Sequence, residues 1–132
     1  AFLISRYHTL KTIKKHHDDN HTAVYGFAAD QSPHPKENTY WREFMGNKVP
    51  VFTGAERVAK DFDMAVVYAD IKRVRRGYYE VDFKLITDSP KETDENEITD
   101  VFFNLLQESI AVDPSQYLWS HNRYKYMHLA PK

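Results

Sequence analysis

At 132 residues the chain has the length of one domain with a real core. A hydrophobic content of 42% and an aromatic content of 14% exclude a disordered tail, and a net charge of -1 gives no basic excess to favour a nucleic-acid partner. The lack of cysteine excludes a disulfide scaffold, a thiol nucleophile and a thiolate metal site, and with neither a long apolar run nor a signal-peptide layout the chain is expected to be soluble.

Residues 2–15 place Leu3, Tyr7, Leu10 and Ile13 near one face of a predicted helix, with Arg6, Lys11, Lys14 and Lys15 largely elsewhere. Such a basic amphipathic helix suits either anionic headgroups or a sheet with a solvated back. A polar turn over 16–21 follows. Its His16, His17, Asp18, Asp19 and His21 suit zinc or nickel by type, but adjacent ligands in a turn rarely converge on one ion, so no metal is expected. From Ala23 to Ala29 the residues are apolar without alternation, the pattern of a strand covered on both faces. That strand would end on Asp30. The carboxyl end of an α/β strand is where ligand-contacting side chains stand, so Asp30 and Gln31 are candidate substrate-binding residues; a structural cap is the other reading of Asp30. Residues 32–38, with two prolines, read as a loop.

Phe44 and Gly46 suit a turn, and Thr53-x-x-Glu56 has the form of a capping box ahead of a short helix over 54–61. Met64 to Ala69 is continuously apolar, a second buried strand. Tyr79, Val81, Phe83 and Leu85 alternate with Glu80, Asp82 and Lys84, which predicts a strand over 78–86 with one wet face. Arg76-Gly77 would join it to its neighbour as a hairpin. Lys72, Arg73, Arg75 and Arg76 gather positive charge at that tip, either solvated or facing lipid phosphates, an acidic protein or an anionic leaflet. Asp94 and Glu97 open a last major helix with the stripe Ile98, Val101, Phe102, Leu105, Leu106 and Ile110, which Asp113-Pro114 stops. Residues 115–126 read as a helical turn carrying Trp119. Arg123 there suits forked phosphate binding beside His121 and Lys125. Equally, the segment suits a carboxyl-terminal clasp, with Trp119 filling a core pocket and Arg123 pairing with an internal carboxylate. The expected fold is α/β, a mixed sheet of about four strands flanked by helices, in a single domain over 1–132.

Five motifs stand in order: Ala29-Asp30-Gln31-Ser32-Pro33, Phe44-x-Gly46, Thr53-Gly54-Ala55-Glu56, Arg76-Gly77-Tyr78-Tyr79 and the run from Gln116 to Lys125. Together they resemble the carboxyl-terminal half of the bacterial lipid A biosynthesis acyltransferases, the lauroyl/myristoyl acyltransferases, over residues 20–126. Tyr124 is a mild departure, since the family often has Phe or Trp there. The resemblance implies a glycerolipid-acyltransferase-like fold and transfer of an acyl group from an acyl carrier protein or CoA thioester to a hydroxyl of a lipid A precursor. It further implies no cofactor and a place at the cytoplasmic face of the bacterial inner membrane. Its catalytic element is a His with a carboxylate five residues on. No His of this chain has an acidic residue at that spacing, so no catalytic residue is assigned, and the chain is expected to be the inactive carboxyl-terminal portion of a longer, membrane-anchored enzyme. Asp30, Gln31, Arg76, Arg123 and Lys125 are the implied substrate-binding residues. Apolar surface left bare in such a portion would favour homodimers. The alternative from another class is a non-catalytic module that binds anionic lipid or an acidic protein.

Overall fold

The computed structural model describes residues 3–5 and 7–132. Helix α1 (Thr9–Asp18) carries Ile13 into the interior and leaves its lysines in solvent. It begins later than the predicted helix and runs on through His16 and His17; residue 2 and Arg6 lie outside the described residues. A tight hairpin follows, β1 (Trp41–Phe44) and β2 (Asn47–Pro50), paired antiparallel with Phe44 opposite Asn47. Its two-residue turn holds Met45 and Gly46 at φ +50 and +78, the primed turn geometry in which glycine is cheapest. Helix α2 (Gly54–Phe62) leads to the long antiparallel ribbon of β3 (Val66–Arg75) and β4 (Tyr78–Thr87), turned at Gly77 with φ +80. Helix α3 (Glu97–Val112) ends before Asp113-Pro114, after which short 3-10 turns at Pro114–Gln116 and Met127–Leu129 carry the chain to its end.

Among the described residues, helices and four strands give the mixed α/β class the sequence predicts, with the strands distributed over two separate two-stranded antiparallel ribbons. The core is built where the β1–β2 hairpin meets α3: Phe44, Val49, Val51, Phe103 and Ile110, with Tyr40, Phe102 and Tyr117 packed around them. Phe44 and Phe103 meet edge to face at 5.8 Å. Polar side chains fasten the same joint. The Arg42 guanidinium donates to the Asp100 carbonyl (2.7 Å) and to Asn104 Oδ1 (2.9 Å), and the Met45 amide donates to Gln107 Oε1 (2.7 Å).

Three expectations change on contact with this structure. The run Ala23–Ala29 is not a strand: residues 21–29 are irregular and mostly exposed, because among the described residues they have no neighbouring strand to complete a ladder. Thr53 stands at the N-cap of α2 without a side-chain cap bond, and the Glu56 carboxylate accepts from Thr99 of α3. The β3–β4 ribbon turns its polar row inward. Tyr68, Asp70 and Lys84 share the face toward α3, where Tyr68 meets Phe102 edge to face and Ser109 donates to Asp70, while Val67, Ile71, Val81, Phe83 and Leu85 share the exposed face.

Candidate functional site

The two marker segments, distant in sequence, meet in space. Ser32 is the hinge of their contact: its hydroxyl donates to the Arg123 carbonyl at 2.8 Å, and its amide donates to His121 Nε2 at 3.0 Å. A ring nitrogen that accepts has no proton, so neutral His121 carries its hydrogen on Nδ1. From the other side, Arg123 Nη1 donates to the Asp30 carbonyl at 2.9 Å, and the Tyr117 hydroxyl reaches the same oxygen at 3.4 Å. The guanidinium is 2% exposed and lies over the Phe44 and Phe103 rings, 5.1 and 5.0 Å from their centroids. Ring faces supply the negative potential that no carboxylate provides there. Burial pulls the Arg123 pKa below its ordinary value, yet a guanidinium stays ionised in a protein. Its Nε and Nη2 have no hydrogen-bond partner, and the charge is held by Asp30 O and the two rings.

This is a carboxyl-terminal clasp of a kind different from the one the sequence suggests. Arg123 bonds a backbone carbonyl in place of a carboxylate, and Trp119 is 51% exposed, its indole donating to the Pro114 carbonyl at 2.6 Å. Arg123, not Trp119, is the buried side chain of this segment, its head packed against the Phe44 and Phe103 rings.

Asp30 stands half-buried at the mouth of an open groove of about 1270 Å³. Residues 22–30 and residues 66–72 of β3 line it, together with Val58 of α2 and Phe102, Leu106 and Ile110 of α3. Within it lies a polar knot absent from the sequence reading. Asp70, 4% exposed, receives Lys84 Nζ at 2.9 Å and the Ser109 hydroxyl at 2.9 Å, and Ser109 lies 3.1 Å from the Tyr68 hydroxyl. Burial alone would raise the Asp70 pKa, but the bonds from Lys84 and Ser109 and the charges of Lys84 and Lys72 override it and hold the carboxyl below its usual range. The signal that could have found this knot is the acidic residue closing the apolar run before Ile71.

Of the candidate residues, Asp30, Gln31 and Arg123 come together at the clasp, with Gln31 exposed beside the half-buried Asp30. Lys125 is exposed close by in sequence, its ammonium 4.9 Å from the Tyr126 ring. Arg76 is apart from them, exposed in the hairpin turn, six residues beyond Asp70 and so roughly 20 Å further along the ribbon. His16 bonds the Tyr25 hydroxyl (2.7 Å) and His17 packs on Phe62; no group of three or more His, Asp or Glu among the described residues is placed to hold a metal.

An apolar groove with a polar, clasped mouth in a mixed α/β chain has the layout of a ligand-binding protein. Residues 3–126 match the family model of the bacterial lipid A biosynthesis acyltransferases, and the chain belongs to that family. At that level it is an acyltransferase of lipid A biosynthesis, with an acyl donor and a lipid A precursor as substrates. No curated protein and no solved structure matches it significantly. No helix among the described residues is long and apolar enough to cross a membrane.

Proposed function

We propose that the chain, acting as one domain, is the acceptor-binding portion of an enzyme that moves a fatty acyl group from an acyl carrier protein or CoA thioester to a hydroxyl of a lipid A precursor. The observation that carries this reading is the meeting of the two family segments at Ser32, with Asp30 and Gln31 presented beside the groove. In it, Asp30 and Gln31 hold the acceptor by hydrogen bonds, Lys125 and Arg76 offer charge to its phosphates, and Arg123 serves from beneath by fixing the backbone of Asp30. Since no His has a carboxylate five residues on, the chain alone binds acceptor without turnover, for want of a general base oriented by an acid.

The basic tip supports a place on an anionic membrane surface, the cytoplasmic face of the inner membrane. Arg73, Arg75 and Arg76 are exposed there with Tyr78, whose ring lies 3.8 Å from the Arg75 guanidinium, while Lys72 is paired with Asp82 at 2.7 Å. Cosedimentation with vesicles containing a lipid A precursor tests both parts. Asp30→Ala/Gln31→Ala is expected to lose the preference for precursor over plain anionic vesicles, and Arg73→Glu/Arg76→Glu to lose retention on both. Equal retention by all three proteins overturns the site. Complete acyl transfer by the unaltered chain overturns the division of labour.

A further inference from the structure

The β3–β4 ribbon sorts its charges by face and by distance from the turn. Cross-strand neighbours Asp70 and Asp82, and Lys72 and Glu80, lie on one face; Ala69 and Phe83, Ile71 and Val81, and Arg73 and Tyr79 lie on the other. Every acidic residue of the two strands is therefore on the first face. The second is an exposed apolar strip that ends in Tyr79 and Arg73, and from Val67 to Arg73 it runs roughly 20 Å. The cations divide in the same way. Lys72 and Lys84, on the acidic face, are paired with Asp82 and Asp70. Arg73, Arg75 and Arg76, toward and in the turn, are exposed and stand in no ion pair among the described residues.

This arrangement discriminates between occupants of the strip. Two identical strips can meet face to face about a twofold axis that runs either along the strands or across them. The first stacks the two turns and brings the arginines of both copies together. The second carries Arg73 of each copy onto the Val67 and Leu85 end of the other, where no oxygen of the strip accepts its protons. A second copy, the partner at hand in water, thus covers the apolar side chains and leaves the guanidinium charge unmatched. An anionic bilayer leaflet matches both. Acyl chains take the apolar side chains, lipid phosphates accept from the arginines in forked pairs, and Tyr78 and Tyr79 fall at the level where amphipathic rings settle. No carboxylate of the ribbon faces the lipid.

We propose that the outer face of the ribbon is a membrane-insertion surface for an anionic leaflet. Ile71, Val81, Phe83 and Leu85 sink to the boundary of headgroups and acyl chains, and Arg73, Arg75 and Arg76 hold lipid phosphates at one end. The inference rests on the membrane-surface part of the reading above and extends it from the basic tip to the whole face. Val67, Ile71 and Phe83 also line the groove, so a leaflet on this face borders the groove as well.

The chain has no cysteine, so a single nitroxide label can be placed at a chosen residue of the full chain. Labels at Val81→Cys and Glu80→Cys report the two faces of β4 through their collision rates with oxygen and with a water-soluble nickel chelate. On phosphatidylglycerol vesicles the oxygen-to-nickel ratio at Val81→Cys is expected to rise about tenfold or more, while that at Glu80→Cys stays unchanged. Phosphatidylcholine vesicles are expected to change neither. In 1 M salt, where screening acts beyond about 3 Å, the unaltered chain is expected to stay on phosphatidylglycerol vesicles and Phe83→Ser/Leu85→Ser to be released. A chain that sediments with these vesicles while both labels stay in water is held by its tip alone; that overturns the proposal and leaves the surface reading standing. A chain that does not sediment with them overturns both. Spin–spin broadening at Val81→Cys that the vesicles do not remove gives the face to a second copy and overturns the proposal too. The acceptor role of Asp30 and Gln31 is read on vesicles that contain precursor and is untouched by any of these results.

Discussion

Taking a guanidinium out of water costs several kcal/mol unless its surroundings replace the lost hydration, so Arg123 must be held by more than one contact. Here the Asp30 carbonyl and the rings of Phe44 and Phe103 share that task. A charge-assisted bond of this kind contributes about 1.5–3 kcal/mol, and truncation adds the loss of packing between two rings. Arg123→Ala is therefore expected to destabilise the fold by about 3 kcal/mol, read from urea denaturation. Arg123→Lys should recover less than half of that, because a compact ammonium cannot match the extended contact of a guanidinium with both rings while it reaches Asp30 O. Ser32→Ala, which removes one bond to Arg123 O, is expected to cost about 1 kcal/mol. An Arg123→Ala midpoint equal to that of the unaltered protein would show that the clasp contributes nothing to folding.

Glu56 joins two elements that the sequence describes separately. Its Oε2 accepts from the Thr99 amide at 2.9 Å and the Thr99 hydroxyl at 2.6 Å, and Lys60 closes on Oε1 at 2.9 Å. Thr99 lies in the first turn of α3, where amides lack intrahelical partners and the helix dipole favours negative charge, so α2 caps α3 from outside. Burial by itself raises the Glu56 pKa, but the bonds from Thr99 and Lys60 outweigh it and the carboxyl ends below its ordinary 4.5. Asp70 likewise ends below 3.8. A carboxyl depressed in the fold contributes stability that is present above the unfolded value and is lost as pH falls through the folded one. Stability is thus expected to be flat above about pH 5 and to fall below pH 4.5, with Glu56→Gln flattening part of that fall. Thermal melts from pH 7 to 3 check it; an unchanged slope in Glu56→Gln would remove Glu56 from the account. Glu56→Ala should cost about 3 kcal/mol, since it strands the buried Thr99 donors. The Thr53-x-x-Glu56 pattern announces a helix start correctly and the wrong one for its glutamate, because a local spacing cannot show that a second helix offers better donors. Helix α2 was legible from its capping pattern, α3 from its opening acids and apolar stripe, and strand β4 from its alternation. Strands β1 and β2 were not, being four residues each, although the turn at Gly46 was. At the site, the sequence marked both segments of the clasp. It could not show that Arg123 points inward, since a fork suited to phosphate also suits a carbonyl beneath two rings.

At the scale of the whole molecule the β3–β4 ribbon is covered on one face only. Cross-strand neighbours Ile71 and Val81, Ala69 and Phe83, and Val67 and Leu85 stand together on the other, with Phe83 70% and Leu85 62% exposed. The ribbon does not relieve this by slipping one residue, because the shift would carry Asp70, Lys72, Glu80 and Asp82 to the opposite face and break the bonds of Asp70 with Ser109 and Lys84. An apolar face of this kind is a patch that water disfavours, and a self-complementary patch favours a twofold pair of identical chains. The chain is therefore expected to self-associate through this face, with a sedimentation coefficient that rises with concentration. Phe83 and Leu85 each contribute about 1.5–3 kcal/mol on full burial, and a symmetric pair buries both from each copy. Phe83→Lys/Leu85→Lys is accordingly expected to weaken association by more than about a hundredfold. Both side chains already face solvent in the single chain, so its melting temperature at low concentration should stay within a few degrees. Association that persists at unchanged strength in the double variant would place the contact elsewhere, and the groove beside β3 would be the next surface to block.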